Sequence, residues 1–254
     1  VAAWLLRKPL LIHEQNAVAG TTNRMLAPMA AKIVAGFPGA FRGDVEYMVL
    51  GNPIRRELVT AAAASDYDYA GQRPLRLLVL GGSLGARPIN DMIPGAVRKL
   101  LEEHAASLEV RHQAGDAHDD VVRESYAGLL DKGVQVAPFI EDMAAAYAWA
   151  DLVLCRAGAL TVAELAVMGR PAMLVPLPQA IDDHQTANAR SLTDRGGAVL
   201  LRQSEMNVES LVQLLQGYLA HPQRLPAMAA ASRATATPDA AQRVSDCCEE
   251  LLHG

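Results

Sequence analysis

From Leu75 onward, short and almost uninterrupted apolar runs alternate with longer stretches of helical periodicity, and this alternation limits the fold more than any other feature of the chain. The runs are LRLLVL, LEVRHQ, VQVAPF, DLVLC, AMLVP and AVLL, and a helical pattern follows each. A strand with one wet face alternates apolar and polar residues, whereas a continuously apolar strand is covered on both faces. Helical crossovers are also what parallel neighbours need. The pattern therefore predicts an α/β fold with a doubly wound parallel sheet of about six strand-helix units. At 254 residues, the chain can bury the core of one large domain or two modest ones without disulfides or metals.

The first fifty residues carry a smaller piece of the same logic. PLLIHEQN reads as strand and loop, TTNRMLAPMA as helix, and KIVAGF and EYMVLGNP as further strands. Thr60 to Pro74, rich in Ala and containing Gly71, reads as a surface connection near a domain boundary, with a hinge close to Asn52 and Pro53. Thr237-Pro238-Asp239 offers a helix cap, a proline at the first helical position and an acid in the first turn, so a terminal helix is expected after it. The expected division is 1–52, 53–233 and 234–254.

Charge and cysteine content exclude several function classes. The net charge of -5 argues against a broad basic surface for nucleic acid. Cys155, Cys247 and Cys248 do not form a disulfide framework, since adjacent cysteines rarely pair, and a reducing cytosol fits them best. No apolar run approaches the ~18 to 20 residues of a membrane span, and Val1 to Lys8 lacks the order of a signal peptide. A soluble or peripheral protein is expected. The start at Val1, inside what reads as the end of a helix, suggests a chain missing its beginning.

Two turns carry the chemistry. LRLLVL runs into Gly81-Gly82-Ser83-Leu84-Gly85-Ala86 and then a helix, so backbone N–H groups and the positive end of a helix dipole face the loop. No lysine follows as a nucleoside-triphosphatase loop requires, and a mere tight connection is the plain alternative. After DLVLC the same arrangement recurs in Arg156-Ala157-Gly158-Ala159-Leu160-Thr161-Val162-Ala163-Glu164. In a parallel sheet both turns open at the carboxyl ends of strands, so two anion-favouring helix ends should share one cleft. Thr161 and Glu164 match an S/T-x-x-E capping box; alternatively Glu164 accepts hydrogen bonds from vicinal sugar hydroxyls, and spacing leaves both open. Cys155 reads as a small core residue. Asp66-Tyr67-Asp68 has the D-x-D form that can hold a diphosphate through a metal, but it sits in the Ala-rich connection. His118-Asp119-Asp120 and Asp182-Asp183-His184 read as helix starts. No metal or other cofactor is expected.

Together the residues resemble a known family. His13-Glu14-Gln15-Asn16 with Ala19-Gly20, Phe37-Pro38-Gly39-Ala40-Phe41, Gly51-Asn52-Pro53-Ile54-Arg55, GGSLGA at 81–86, Phe139-Ile140-Glu141-Asp142-Met143, AAAYAWAD, CRAGALTVAE at 155–164, Asp183-His184-Gln185 and Asn188-Ala189 occur in the order of the MurG family of N-acetylglucosaminyltransferases. The resemblance covers almost the whole chain. It implies a GT-B architecture, two Rossmann-like domains facing a cleft. Residues 1–52 would belong to an acceptor and membrane-side domain, 53–233 to the donor domain, and 234–254 to a helix returning to the first. It further implies uridine near Ile140 and the helix start of Ala159, Leu160, Thr161, Val162 and Ala163 around the nucleotide. Glu164 would meet the ribose, Ser83 and Arg55 the diphosphate, and Gln185 and Asn16 the donor sugar. Glu14 would lie at the acceptor or reacting centre as the catalytic candidate, its ordinary alternative being to fix the loop after PLLIH.

The implied reaction is inverting transfer of N-acetylglucosamine from UDP-N-acetylglucosamine to the muramyl 4-hydroxyl of a lipid-linked muramyl-pentapeptide, in peptidoglycan synthesis. The implied place is the cytoplasmic face of the bacterial inner membrane, where Trp4-Leu5-Leu6 with Arg7-Lys8 suits an anionic surface. Family members open on a glycine-rich GGTGGH loop that has no counterpart here, so the resemblance implies an incomplete acceptor domain. A UDP-sugar-binding fragment without turnover, and another GT-B enzyme such as a UDP-sugar epimerase, stay open as alternatives.

Overall fold

In the computed structural model, residues 2–82, 84–104, 107–178 and 183–253 are described, with Trp4 and His253 described by backbone alone; among them the strands form two sheets, parallel at every pairing. The smaller has the order β1 (Leu11–Glu14), β2 (Lys32–Ala35), β3 (Met48–Val49). Leu11 pairs with Lys32, and Val34 with Met48. Helix α1 (Ala2–Leu5) precedes it, α2 (Thr21–Leu26) crosses from β1 to β2, and α3 (Arg56–Ala64) leads to the second sheet.

That sheet alternates β4 (Leu75–Leu80), α4 (Arg87–Glu103), β5 (Leu108–Gln113), α5 (Asp119–Ser125), β6 (Val134–Ala137), α6 (Met143–Trp149), β7 (Leu152–Cys155), α7 (Ala159–Met168), β8 (Ala172–Leu174), α8 (His184–Thr193) and β9 (Ala198–Leu200). Its spatial order is β6-β5-β4-β7-β8-β9. The chain builds outward from β4, then returns to its other side with β7. The crossovers on either flank of β4 therefore part at the carboxyl ends of β4 and β7, where a parallel sheet of this kind opens a crevice.

The continuous apolar run of β4 is explained by burial on both faces. Leu75, Leu77 and Val79 pack with Ile89, Ile93, Val97 and Leu100 of α4. Leu78 and Leu80 join Leu58 of α3 and Val162, Leu165 and Ala166 of α7. The chain then continues through α9 (Val208–Ala220), α10 (Arg224–Arg233) and α11 (Ala240–His253). Val244 and Cys247 of α11 pack against Leu11, Val34 and Leu50 of the small sheet, and Glu250 pairs with Lys32. Gly51, at φ +89, lies where the chain leaves the small sheet; a Cβ there would come within 2.0 Å of Thr237 Oγ1, so only glycine fits beside the returning segment.

The stretch 60–74 differs from its reading as a surface connection. α3 continues through Ala64, Tyr69 is buried, and the Tyr67 hydroxyl donates to Asp151 O at 3.0 Å. Arg73 pairs with the buried Asp151 carboxylate, which also accepts from Arg76 N at 2.9 Å. These partners lie far along the chain, and an Ala-rich composition carries no trace of them. Asp66 and Asp68 are exposed, and Asp68 pairs with Arg73 at 3.0 Å.

A buried polar network backs the turn after β4. Asn90 Nδ2 donates to Ala114 O at 2.8 Å, which turns its Oδ1 toward His112 Nε2 at 3.0 Å; His112 Nδ1 lies 3.2 Å from the Tyr126 hydroxyl. The assignment that satisfies every atom is a neutral imidazole donating from Nε2 and accepting from Tyr126. Burial lowers the His112 pKa from 6.5 to about 3. Between those values the unfolded chain holds the extra proton, so the stability this residue contributes is complete above about pH 6.5 and is lost as pH falls toward 3. Urea unfolding at about pH 7 and about pH 5 should show that loss, up to about 1.4 kcal/mol per pH unit, and His112→Gln should remove it. Equal slopes in parent and variant would contradict the assignment.

Candidate functional site

β4 and β7 are neighbours, with Leu80 beside Cys155, so the turns that follow them emerge side by side. Between them lies a cavity of about 480 Å³. Gly81, Gly82 and Leu84 contribute from the first turn, Arg156 from the second, Thr161 and Glu164 from α7, Phe139 and Ile140 from the β6–α6 connection, and Met143 from the start of α6. Arg55, just before α3, closes another side.

The start of α7 corrects the capping-box reading. Its N-cap is Gly158, in extended conformation and without a side-chain cap, so Thr161 falls inside the first turn and Glu164 one turn further on. The helix begins earlier because Gly158 already carries the backbone geometry of a cap. Three residues apart on one helix, Thr161 and Glu164 share a face, and that face lines the cavity. The Glu164 carboxylate accepts from the Tyr147 hydroxyl at 3.1 Å and lies 3.8 Å from the Arg55 guanidinium. Burial raises its pKa, while the Tyr147 bond and Arg55 pull it back. Burial together with the neighbouring Glu164 also raises Tyr147 well above its usual value. The Cys155 thiol, buried beneath, is pushed up to about 12 chiefly by desolvation, as suits a core residue.

Arg156 was not singled out from the sequence, yet it borders the cavity and is held rigidly. Its guanidinium donates to Val175 O at 3.2 Å, Pro176 O at 3.3 Å and Gln203 Oε1 at 2.8 Å. Burial lowers its pKa, but a guanidinium stays charged. The available signal was an arginine directly after a wholly apolar strand.

The loop after β1 forms a second cavity, about 490 Å³, lined by His13, Glu14, Asn16, Asn23 and His184 among others. Glu14 is 3% exposed. Its carboxylate accepts from Asn16 N (2.8 Å), Asn16 Nδ2 (3.3 Å), Gly20 N (2.9 Å) and Asn23 Nδ2 (2.8 Å). Four donors on two oxygens are the signature of a carboxylate that shapes a loop. Gln185, in the first turn of α8, accepts from Leu177 N at 2.9 Å. The N-cap of α8 is Asp183, in the left-handed region at φ 50, and it takes a bond from the Thr186 hydroxyl at 2.7 Å.

Thus Arg55, Ile140, Thr161 and Glu164 meet at one cavity, and Glu14 and Asn16 at the other. Ala159 is buried in the core, Leu160 is exposed, and Val162 and Ala163 turn toward a separate hollow of about 300 Å³ against the small sheet. These four can act on the first cavity only through their backbone. Ser83 and Asp182 lie outside the described residues, as does the side chain of Trp4. Among the described residues no group of three or more His, Cys, Asp and Glu side chains is placed to hold a metal ion.

Residues 76–244 match the glycosyltransferase family 28 C-terminal domain. A Tolumonas auensis protein named UDP-N-acetylglucosamine--N-acetylmuramyl-(pentapeptide) pyrophosphoryl-undecaprenol N-acetylglucosamine transferase is 49% identical over 252 residues, which is 99% of this chain and 70% of that protein. The crystal structure of Acinetobacter baumannii MurG is similar at a TM-score of 0.82 and 41% identity, over 98% of this chain and 69% of that one. A putative UDP-N-acetylglucosamine 2-epimerase from Listeria monocytogenes, 16% identical with a TM-score of 0.68 over 99% of this chain and 70% of its own, shares the fold alone. The architecture is GT-B, and the chain belongs to the MurG family within glycosyltransferase family 28.

Proposed function

We propose that the cavity between the β4 and β7 turns binds UDP-N-acetylglucosamine, and that the sugar is transferred with inversion to the muramyl 4-hydroxyl of a lipid-linked muramyl-pentapeptide. The observation that carries this reading is the convergence of Gly81-Gly82 and the start of α7 on one cavity that also holds Arg55, Arg156 and Glu164. Departure of a diphosphate concentrates negative charge where these groups lie. Fixed N–H dipoles and the anchored Arg156 guanidinium stabilise that charge without reorganising, with Arg55 beside them, and such preorganisation is the largest single source of rate in many enzymes. Glu164, ionised, accepts from the ribose hydroxyls, Ile140 lies at the uracil, and Ser83 joins Arg55 at the diphosphate. Asn16 and Gln185 meet the sugar. Residues 53–233 then form the donor side and 1–52 the acceptor side, bridged by 234–254.

Glu14 enters as a positioning residue, since its carboxylate is occupied by the loop that carries Asn16. Leu5 and Leu6, 66% and 70% exposed beside Arg7 and Lys8, form the contact with anionic lipid at the cytoplasmic face of the inner membrane. No helix among the described residues is long and apolar enough to cross a membrane.

Calorimetry with UDP tests the donor site. The parent chain should bind, and Glu164→Ala should bind roughly ten- to a hundredfold more weakly, the worth of hydrogen bonds to a charged group; a parent without affinity for UDP would sink the proposal. For Glu14→Ala, stranded backbone donors should lower unfolding stability by about 2 kcal/mol while UDP affinity holds. A variant of parental stability that has lost only turnover would restore Glu14 as a base. Sedimentation with phosphatidylglycerol vesicles should fall about tenfold or more for the pair Leu5→Ala and Leu6→Ala, at about 0.8 kcal/mol per buried methylene. Unchanged sedimentation would remove this patch from the membrane contact.

A further inference from the structure

Asn188, on α8, is fully buried where the two lobes meet. Its Oδ1 accepts from Ala17 N at 2.8 Å; its Nδ2 donates to Asn16 Oδ1 at 3.1 Å and to Ala157 O at 3.2 Å. A backbone N–H can only donate and a backbone carbonyl can only accept. One such group from each lobe therefore fixes which way the Asn188 amide points.

That orientation passes to Asn16. With Nδ2 of Asn188 facing it, Asn16 must present Oδ1 to that side, and its own Nδ2 is turned to the acceptor-only carboxylate of Glu14 at 3.3 Å. The polarity of the Asn16 amide is thus set twice, and one N–H of its Nδ2 is left to reach a hydroxyl oxygen. Ala157, the third partner, immediately precedes Gly158, the cap of α7. One side chain thereby joins the residue lining the second cavity to the turn that borders the first.

We propose that Asn188 is a positioning residue: its own amide set by Ala17 N and Ala157 O, it fixes Asn16 as a hydrogen-bond donor toward the donor sugar. This inference rests on the donor-site reading above. It predicts that recognition of the sugar, as distinct from recognition of UDP, depends on the direction of two amides.

The experiment compares UDP with UDP-N-acetylglucosamine by calorimetry on the parent chain and on Asn188→Asp, Asn188→Ala, Asn16→Ala, Asn16→Asp and the double Asn16→Ala, Asn188→Ala variant. Aspartate keeps the shape of Asn188 but sets oxygens against Asn16 Oδ1 and Ala157 O, so Asn188→Asp should weaken UDP-N-acetylglucosamine about tenfold, the worth of a broken hydrogen bond in a buried setting. UDP should stay within about twofold. The double variant should be no worse than the weaker single, since both substitutions break one chain of bonds. Asn16→Asp, which still accepts from Asn188 but donates nothing, should lose the sugar as fully as Asn16→Ala, and it carries the test if an Asn188 variant fails to fold.

Additive losses, sugar affinity retained in Asn16→Asp, or equal weakening of both ligands in parallel with melting temperature would overturn the proposal. A parent that binds UDP no more tightly with its sugar than without also overturns it. A parent that binds neither ligand overturns the donor-site reading itself, and this inference with it.

Discussion

The pairing of β4 with β7 is the constraint on which the site depends. Parallel neighbours cannot be joined by a tight turn, so every connection in the large sheet is a crossover that lays a helix on one face or the other. With β5 and β6 placed on one side of β4 and β7 to β9 on the other, the crossovers separate at one position in the sheet. Leu77, Leu78 and Val79, none of them exposed, pair with Leu152, Val153 and Leu154, likewise unexposed. A one-residue slip would exchange the faces of a strand whose two sides pack against different helices. The register that buries these residues also brings Gly81 and Arg156 to the same height at the sheet's edge, so packing in the core fixes the geometry of the cavity.

The electrostatics of the cavity follow from what surrounds each charge. Arg156 is anchored by three acceptors and sits where burial works against its charge. Glu164 is the counterweight. Its carboxylate is held by Tyr147 and approached by Arg55, the more exposed partner at 54%. Arg55 can leave the carboxylate at little cost, because an ion pair with an exposed partner contributes about 1 kcal/mol or less. The site thus combines one rigid cation with one that can reorient.

Local pattern and distant contact were unequally legible. The central strands β4, β7 and β8 are readable because double burial writes itself as nearly consecutive apolar residues, β5 and β6 because Glu109, Arg111 and Gln135 alternate with buried neighbours, and the two glycine turns follow from what must come after such strands. The capping box at Thr161 failed for a physical reason: the motif describes side chains, whereas α7 starts on the backbone conformation of Gly158. Glu14 ends β1, within the PLLIHEQN strand and loop, but the four donors that occupy it come from Asn16, Gly20 and Asn23, whose convergence depends on how the following loop folds back. Tyr67 and Arg73 fall in a stretch that reads as a surface connection because their partner, Asp151, is 84 and 78 residues away. Arg156 is visible as a residue and invisible as a site, since its neighbours Val175 and Pro176 lie beyond two further elements and Gln203 beyond four.

Three buried neutral amides make joints in this molecule. Asn90 braces the β5 end behind the first turn, Asn52 donates to Gln15 O at 2.9 Å beside the loop of Asn16, and Asn188 crosses between the lobes. All three are at most 4% exposed. A charged group in these places would suffer a desolvation penalty of several kcal/mol, repaid only by excellent pairing. An amide demands far less, and it has a direction, offering a donor at one end and an acceptor at the other. Direction is what a joint between the loop of Asn16 and the turn before α7 requires: it passes orientation from one backbone to the next while leaving the cavity's charge to Arg55, Arg156 and Glu164.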